Sequence, residues 1–160
     1  MTRKPQPAPI AIGWREWVAL PDLGIPAIKV KIDTGARTSA LHASKVERYT
    51  RRGAPHAILH IHPLQRSVAS FVKCDVAIID ERLVMSSGGH RERRIVIAST
   101  LALGGAEWPI ELSVTDRDPM RFRMLLGRSA LAGRVIIIPG ASYLLGERAR
   151  RRRAGREPRD

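Results

Sequence analysis

The chain has 160 residues, with 28 Lys and Arg against 15 Asp and Glu, a formal charge of +13. That length suits one domain with a buried core, and 44% hydrophobic residues with 27% charged exclude a disordered polymer. One cysteine, Cys74, excludes an intrachain disulfide framework and a multi-cysteine zinc cluster, and no apolar run reaches the roughly 18 residues of a membrane helix. The expectation is a soluble, cytoplasmic protein without a membrane partner.

Residues 1–11 hold three prolines beyond the starting segment Met1-Thr-Arg-Lys and read as a flexible arm. Residues 12–146 carry the structural signals of one domain. Trp17–Leu20 predicts a short strand, and Pro21–Pro26 a turn-rich connection. Ile28, Val30 and Ile32 alternate with Lys29 and Lys31, which predicts a half-buried strand with its lysines in water. Ser39–Val46 reads as a short helix, His56–His62 and Ser70–Ile79 as extended. Arg82–Arg91 followed by Arg94–Ala98 predicts a hairpin with its tip near Gly88-Gly89. Ile110, Leu112 and Val114 alternate again. Arg128–Ala132 predicts a short helix, and the β-branched run Val135–Ile138 a buried strand ended by Pro139-Gly140. Residues 147–160 hold seven arginines and three acids, a basic disordered tail of +4 that leaves +9 on the rest. Many strands with Gly and Pro punctuation mean a mostly β barrel or sandwich.

Two stretches carry chemistry. In Ile32-Asp-Thr-Gly-Ala36 an apolar strand delivers Asp33 into a tight turn, a fitting mount for a reactive carboxylate. Alone, Asp-Thr-Gly is an everyday turn. Met124-Leu-Leu-Gly-Arg-Ser-Ala-Leu131 places two apolar residues before a glycine and then opens a helix.

Together these stretches resemble the retropepsin-like aspartic proteases. Ile12-Gly-Trp-Arg-Glu-Trp17, Lys31–Ala43, Trp108-Pro-Ile-Glu-Leu112 and Thr115-Asp-Arg-Asp-Pro-Met120 extend the resemblance to one bacterial branch, from about Ile12 to Gly146. That branch is labelled an ATP-dependent zinc protease and is associated with a ligase that adds glutamates to a ribosomal protein. The resemblance implies a closed barrel of the acid-protease kind with one short C-terminal helix. It also implies a homodimer, because one Asp-Thr-Gly supplies one of the two carboxylates the reaction needs. Two Asp33 carboxylates held that close share one proton, so one serves as general base on a water while the other polarises the scissile carbonyl. Thr34 would brace the two loops across the dimer, Gly35 would offer its backbone to substrate, and Gly88 and Gly89 would tip a closing flap.

Where retroviral members carry an acid after Asp-Thr-Gly-Ala, this chain has Arg37, while Arg128 keeps its place. Arg128 is then expected to meet Glu111 or Asp116. Alternatively Ala36, Arg37 and Arg128 line a substrate groove suited to acidic, glutamate-rich peptides, a glutamylated ribosomal protein among them. Pairing of Arg37 with Glu111 is the plainer reading.

Zinc finds little footing: there is no His-Glu-x-x-His, and His60 with His62, helped by His42 or Cys74, is the sole candidate set. No phosphate-binding glycine loop supports ATP, and Gly104-Gly105 reads as a turn. No cofactor is expected. Ser39 and His42 sit too close in sequence to Asp33 for a serine triad, Cys74 reads as a buried small hydrophobe, and Trp14, Trp17 and Trp108 as core or dimer packing. A zinc peptidase is the alternative enzyme. A non-catalytic basic module for an acidic protein or RNA is the alternative of another class. Only 4% of residues are aromatic and no RNP-like strand occurs, so RNA contact is expected to be weak and confined to Arg148–Arg153.

Overall fold

A computed structural model describes residues 7–64, 71–85, 88–116 and 121–146. The tail arginines and Ser86-Ser87 lie outside these residues. Among the described residues eleven strands and one α-helix follow in order, with a 3-10 turn at Pro21–Leu23 between the first two strands: β1 (Ile10–Leu20), β2 (Ile25–Ile32), β3 (Ser39–His42), β4 (Lys45–Arg51), β5 (Ala54–Ile61), β6 (Val72–Ala77), β7 (Asp80–Met85), β8 (Arg91–Leu103), β9 (Ala106–Thr115), β10 (Met124–Leu126), α1 (Arg128–Leu131) and β11 (Val135–Ser142). The mostly β expectation holds, as does the lone helix at Arg128. No described helix is long and apolar enough to cross a membrane.

The main sheet runs β11-β1-β2-β10-β3-β9-β8-β7, and Ala19 paired with Ala102 joins β1 to β8 so that six strands form a ring. A second sheet, β4-β5-β6, packs against it. The ring's interior follows from alternation: Ile28 and Val30 of β2, Leu41 of β3, Ile97 of β8, Leu112 of β9 and Leu126 of β10 are all sealed from water. Each such side chain is worth about 1.5–3 kcal/mol of burial.

Three expectations change. Ser39–Val46 is not helical. Leu41 pairs with Met124 on one side and Val114 on the other, so sheet neighbours override a weak local preference. Strand β1 begins at Ile10, inside the stretch read as an arm, because Ile10 and Ala11 pair with Val135 and Ile136. Strand β11 is an edge rather than a buried strand, and it runs on through Pro139-Gly140 to Ser142. Ile136 is 56% exposed and Ile138 44%. β-Branched residues favour strands in either setting, so composition did not reveal the edge.

A buried carboxylate ties the segment after β11 to β1. Glu16, fully buried, accepts hydrogen bonds from the amides of Gly13 (2.7 Å), Leu144 (3.0 Å) and Leu145 (3.2 Å). Beside it, a Cβ on Gly13 would stand 2.2 Å from the Ala141 carbonyl oxygen, so only glycine fits there. The β1 register shifts between Gly13 and Arg15. This bulge leaves Trp14 and Arg15 both half-buried at the surface.

Candidate active site

Strand β2 ends one residue before Asp33, and the main chain then turns sharply. Gly35 donates its amide to Asp33 Oδ1 (3.1 Å), and the Ala36 amide donates to the Asp33 carbonyl (3.2 Å). This is the side-chain-to-backbone turn that short Asp side chains favour. A Cβ on Gly35 would come within 3.3 Å of that same carboxylate oxygen, so glycine keeps the approach open.

The turn is braced from outside by the segment β10–α1. Strand β10 lies parallel to β2, with Leu126 beside Ile32, and the Leu126 carbonyl accepts the Asp33 amide at 2.8 Å. Past it, the Arg128 amide donates to the Ala36 carbonyl (2.8 Å) and the Ser129 amide to the Arg37 carbonyl (3.0 Å). Gly127 crosses against the loop so closely that a Cβ would meet Thr38 and Ala36 main-chain atoms at 2.8–2.9 Å. Its own amide donates to the buried Ser39 Oγ at 3.0 Å. Trp108, buried, donates its indole N–H to the Ala130 carbonyl and so fixes the helix that follows. These contacts give the apolar-apolar-Gly-Arg motif its physical content.

The structure therefore gathers Asp33, Thr34, Gly35, Ala36, Arg37 and Arg128 into one unit. Arg128 Nη1 donates to the Thr34 carbonyl at 2.9 Å, which makes it a strut of the loop. Glu111 is not its partner, since Arg82 holds Glu111 at 2.6 Å and also reaches Asp80 at 2.7 Å. Arg37 is exposed and makes no ion pair among the described residues, so the pairing with Glu111 is not formed. Gly88 and Gly89 do sit at the end of the β7–β8 hairpin, where Met85 pairs with Arg91 and Gly89 takes φ +79. Among the described residues they share no hydrogen bond with the Asp33 loop. Sequence reading missed Ser39, whose Oγ accepts the Gly127 amide; only its place beside the Asp-Thr-Gly turn hinted at it.

The histidines are engaged elsewhere. On the outer face of β4-β5-β6, His60 Nε2 lies 3.0 Å from Glu47, and His56 Nδ1 lies 3.4 Å from Asp75. Tyr49 donates to Asp75 from the other side. His62 packs on the Phe71 ring at 5.2 Å. His42 is buried beside Arg123. Among the described residues no three His, Cys, Asp or Glu side chains gather in metal-ligating reach. The hydrogen bond from His60, aided by Lys45, holds Glu47 well below the ordinary carboxylate range, at about 2. Tyr49 and then His56 lower Asp75 likewise. Cys74 is buried and donates to the Leu23 carbonyl at 3.0 Å, and burial pushes its thiol up, away from reactivity.

Comparison with known proteins bears on this geometry. A family model described as RimB-like, retropepsin-like aspartic endopeptidase RimB, matches residues 11–148. A protein of Shewanella pealeana named "Probable alpha-L-glutamate ligase" is 44% identical over 137 residues, covering 86% of this chain and 30% of that protein. One of the same name from Parasynechococcus marenigrum is 43% identical over 147 residues, covering 92% and 30%. The chain thus spans under a third of these longer relatives. A crystal structure from Legionella pneumophila, of a protein described as having unknown function, superposes with a TM-score of 0.71. It covers 87% of this chain and 100% of that one at 18% identity, a likeness of fold.

Proposed function

This chain belongs to the RimB-like family of retropepsin-like aspartic endopeptidases, and from that premise we propose that it hydrolyses peptide bonds with paired Asp33 carboxylates, one from each of two copies. The observation that carries the reading is the Asp33 turn itself. A carboxylate at a strand end, aligned by the Gly35 amide and framed by Leu126, Gly127 and Arg128, has the kind of fixed mount that acid–base chemistry requires. Each chain offers one such carboxylate, so a twofold pairing supplies the second. One carboxylate takes a proton from water as it attacks the carbonyl carbon, and its protonated mate donates to the carbonyl oxygen. The same pair then delivers a proton to the departing amine.

The substrate we assign is an acidic, glutamate-rich segment. Arg37 projects from the loop without an internal partner among the described residues, and exposed Lys31 lies two positions before Asp33. Some relatives named glutamate ligases carry a region like this one within a longer chain. A peptidase for glutamate-rich tails would act on the kind of product such a ligase makes.

The test is cleavage of a glutamate-rich peptide by the wild type and by Asp33→Asn, each with and without a strong chelator. Cleavage that persists in chelator and disappears in the variant supports the paired-carboxylate reading. Activity surviving in Asp33→Asn overturns it, and activity lost only to chelator transfers the chemistry to a metal. Sedimentation during turnover should show a dimer; an active monomer refutes the pairing.

A further inference from the structure

The chain's aromatic residues are few, seven in all, yet four of them meet on one surface. Trp17 stacks on Tyr143 at 6.4 Å, and Trp14 meets Phe122 edge-on at 6.0 Å. The Arg15 guanidinium lies between the two pairs, 4.6 Å from the Trp14 ring and 4.9 Å from that of Tyr143. Its Nε donates to Ser142 Oγ at 3.1 Å. The Lys29 ammonium stands 5.6 Å from the Phe122 ring.

Strand register explains the gathering. Trp17 faces Lys29 and Arg15 faces Lys31 across β1–β2, so these four occupy the outer side. Glu16, Val18, Ile28 and Val30 point inward and are buried. The Gly13 bulge adds Trp14 to the outer set. The outward positions of the two strands, Arg15, Trp17 and Ala19 with Ala27, Lys29 and Lys31, include no carboxylate. Glu107 lines the shallow groove on this side together with Trp17, Ala19 and Ala27.

We propose that this face of β1 and β2 binds single-stranded nucleic acid. Lys29, Lys31 and Arg15 meet phosphates, and the rings of Trp14, Phe122 and Tyr143 receive bases. Cations alone would suit an acidic peptide equally well. The rings decide the matter, because a glutamate side chain has no flat face to stack while every base has one. Low aromatic content therefore misleads as an argument against base stacking: the count is small, but the placement is concentrated. Nothing in this inference depends on the chemistry assigned to Asp33.

Fluorescence anisotropy on the full chain tests it, with a labelled dodecauridylate, the matching deoxythymidylate, and a duplex of equal length. We expect both single strands to outbind the duplex. The logarithm of affinity should fall against log salt with a slope of about −2, as for three phosphate contacts. Lys29→Glu with Lys31→Glu should weaken binding roughly tenfold or more and flatten that slope. Trp14→Leu should weaken it roughly tenfold with the slope unchanged. Lys31→Glu alone, at an exposed site, keeps the test valid if another variant misfolds, and far-UV circular dichroism monitors each. Equal affinity of wild type and the double lysine variant would assign all binding to the arginine tail and overturn the proposal. So would duplex binding as tight as single-strand binding, or displacement by hexaglutamate together with indifference to Trp14→Leu, which marks an acidic-peptide surface.

Discussion

Around Asp33 the main-chain amides of Gly35, Ala36, Arg128 and Ser129 close the loop, whereas on the outer face of β4–β6 the ties run between side chains that titrate. Apart from the Gly35 amide, which meets the Asp33 carboxylate, the first set runs between main-chain groups, independent of pH and of side-chain rotamer, and depends on two glycines that leave room for close approach. The second set, Lys45–Glu47–His60 and Tyr49–Asp75–His56, decorates a sheet whose other face already buries Ala57, Leu59 and Ile61. The carboxylate we propose as reactive is thus framed by backbone, and adjustable charge lies on a separate sheet. Arg48 of β4, paired with Glu81 of β7, ties the second sheet to the root of the β7–β8 hairpin.

The sharpest way to probe this contrast is to remove the chemistry and leave the braces. Asp33→Asn keeps an acceptor for the Gly35 amide, and we expect peptide cleavage to fall roughly 10³-fold or more with the melting temperature nearly unchanged. Next comes the brace itself. Gly127→Ala forces a methyl into main-chain atoms of Ala36 and Thr38 that cannot give way. It should cost about 3 kcal/mol, a drop of roughly 6–12 °C in a thermal melt, and activity with it. Arg128→Met deletes only the strut to the Thr34 carbonyl, and a rate loss of roughly tenfold with a small melting shift is expected.

The smallest effect belongs to the titrating face. Glu47 is held at about 2 against an ordinary 4.5. Its stabilising share is therefore complete above pH 4.5 and lost as the pH falls toward 2. Asp75 acts in the same direction. In an NMR acid titration, β4–β6 amide signals should shift across that window before those of β2 and β10, and Glu47→Gln should flatten the response. Simultaneous change in both regions would erase the distinction drawn between them.

The legible parts of the molecule are those whose logic is local. Ile32-Asp-Thr-Gly and Leu-Leu-Gly-Arg announce a turn and its brace because each compresses its geometry into four residues. The alternation in β2 and β9 exposes which face is buried. Ser39–Val46 reads as a helix because the strand character of Ser39–His42 comes from β9 and β10, far away in sequence. The partner of Arg128 was unreadable for a similar reason: it is a carbonyl, and carbonyls leave no mark in composition. The aromatic face was hidden by dispersal, since positions 14, 17, 122 and 143 meet only once β10 lies beside β2 and β11 beside β1.

The reach of the Arg128 strut has a consequence for how the protein is made. Thr34 and Arg128 stand 94 positions apart, and β2 finds β10 only after the strands between have been synthesised. During translation the Asp33 segment emerges well before its frame, and such distant parallel pairings form late. The turn we propose as reactive is therefore complete only once strands far along the chain are in place.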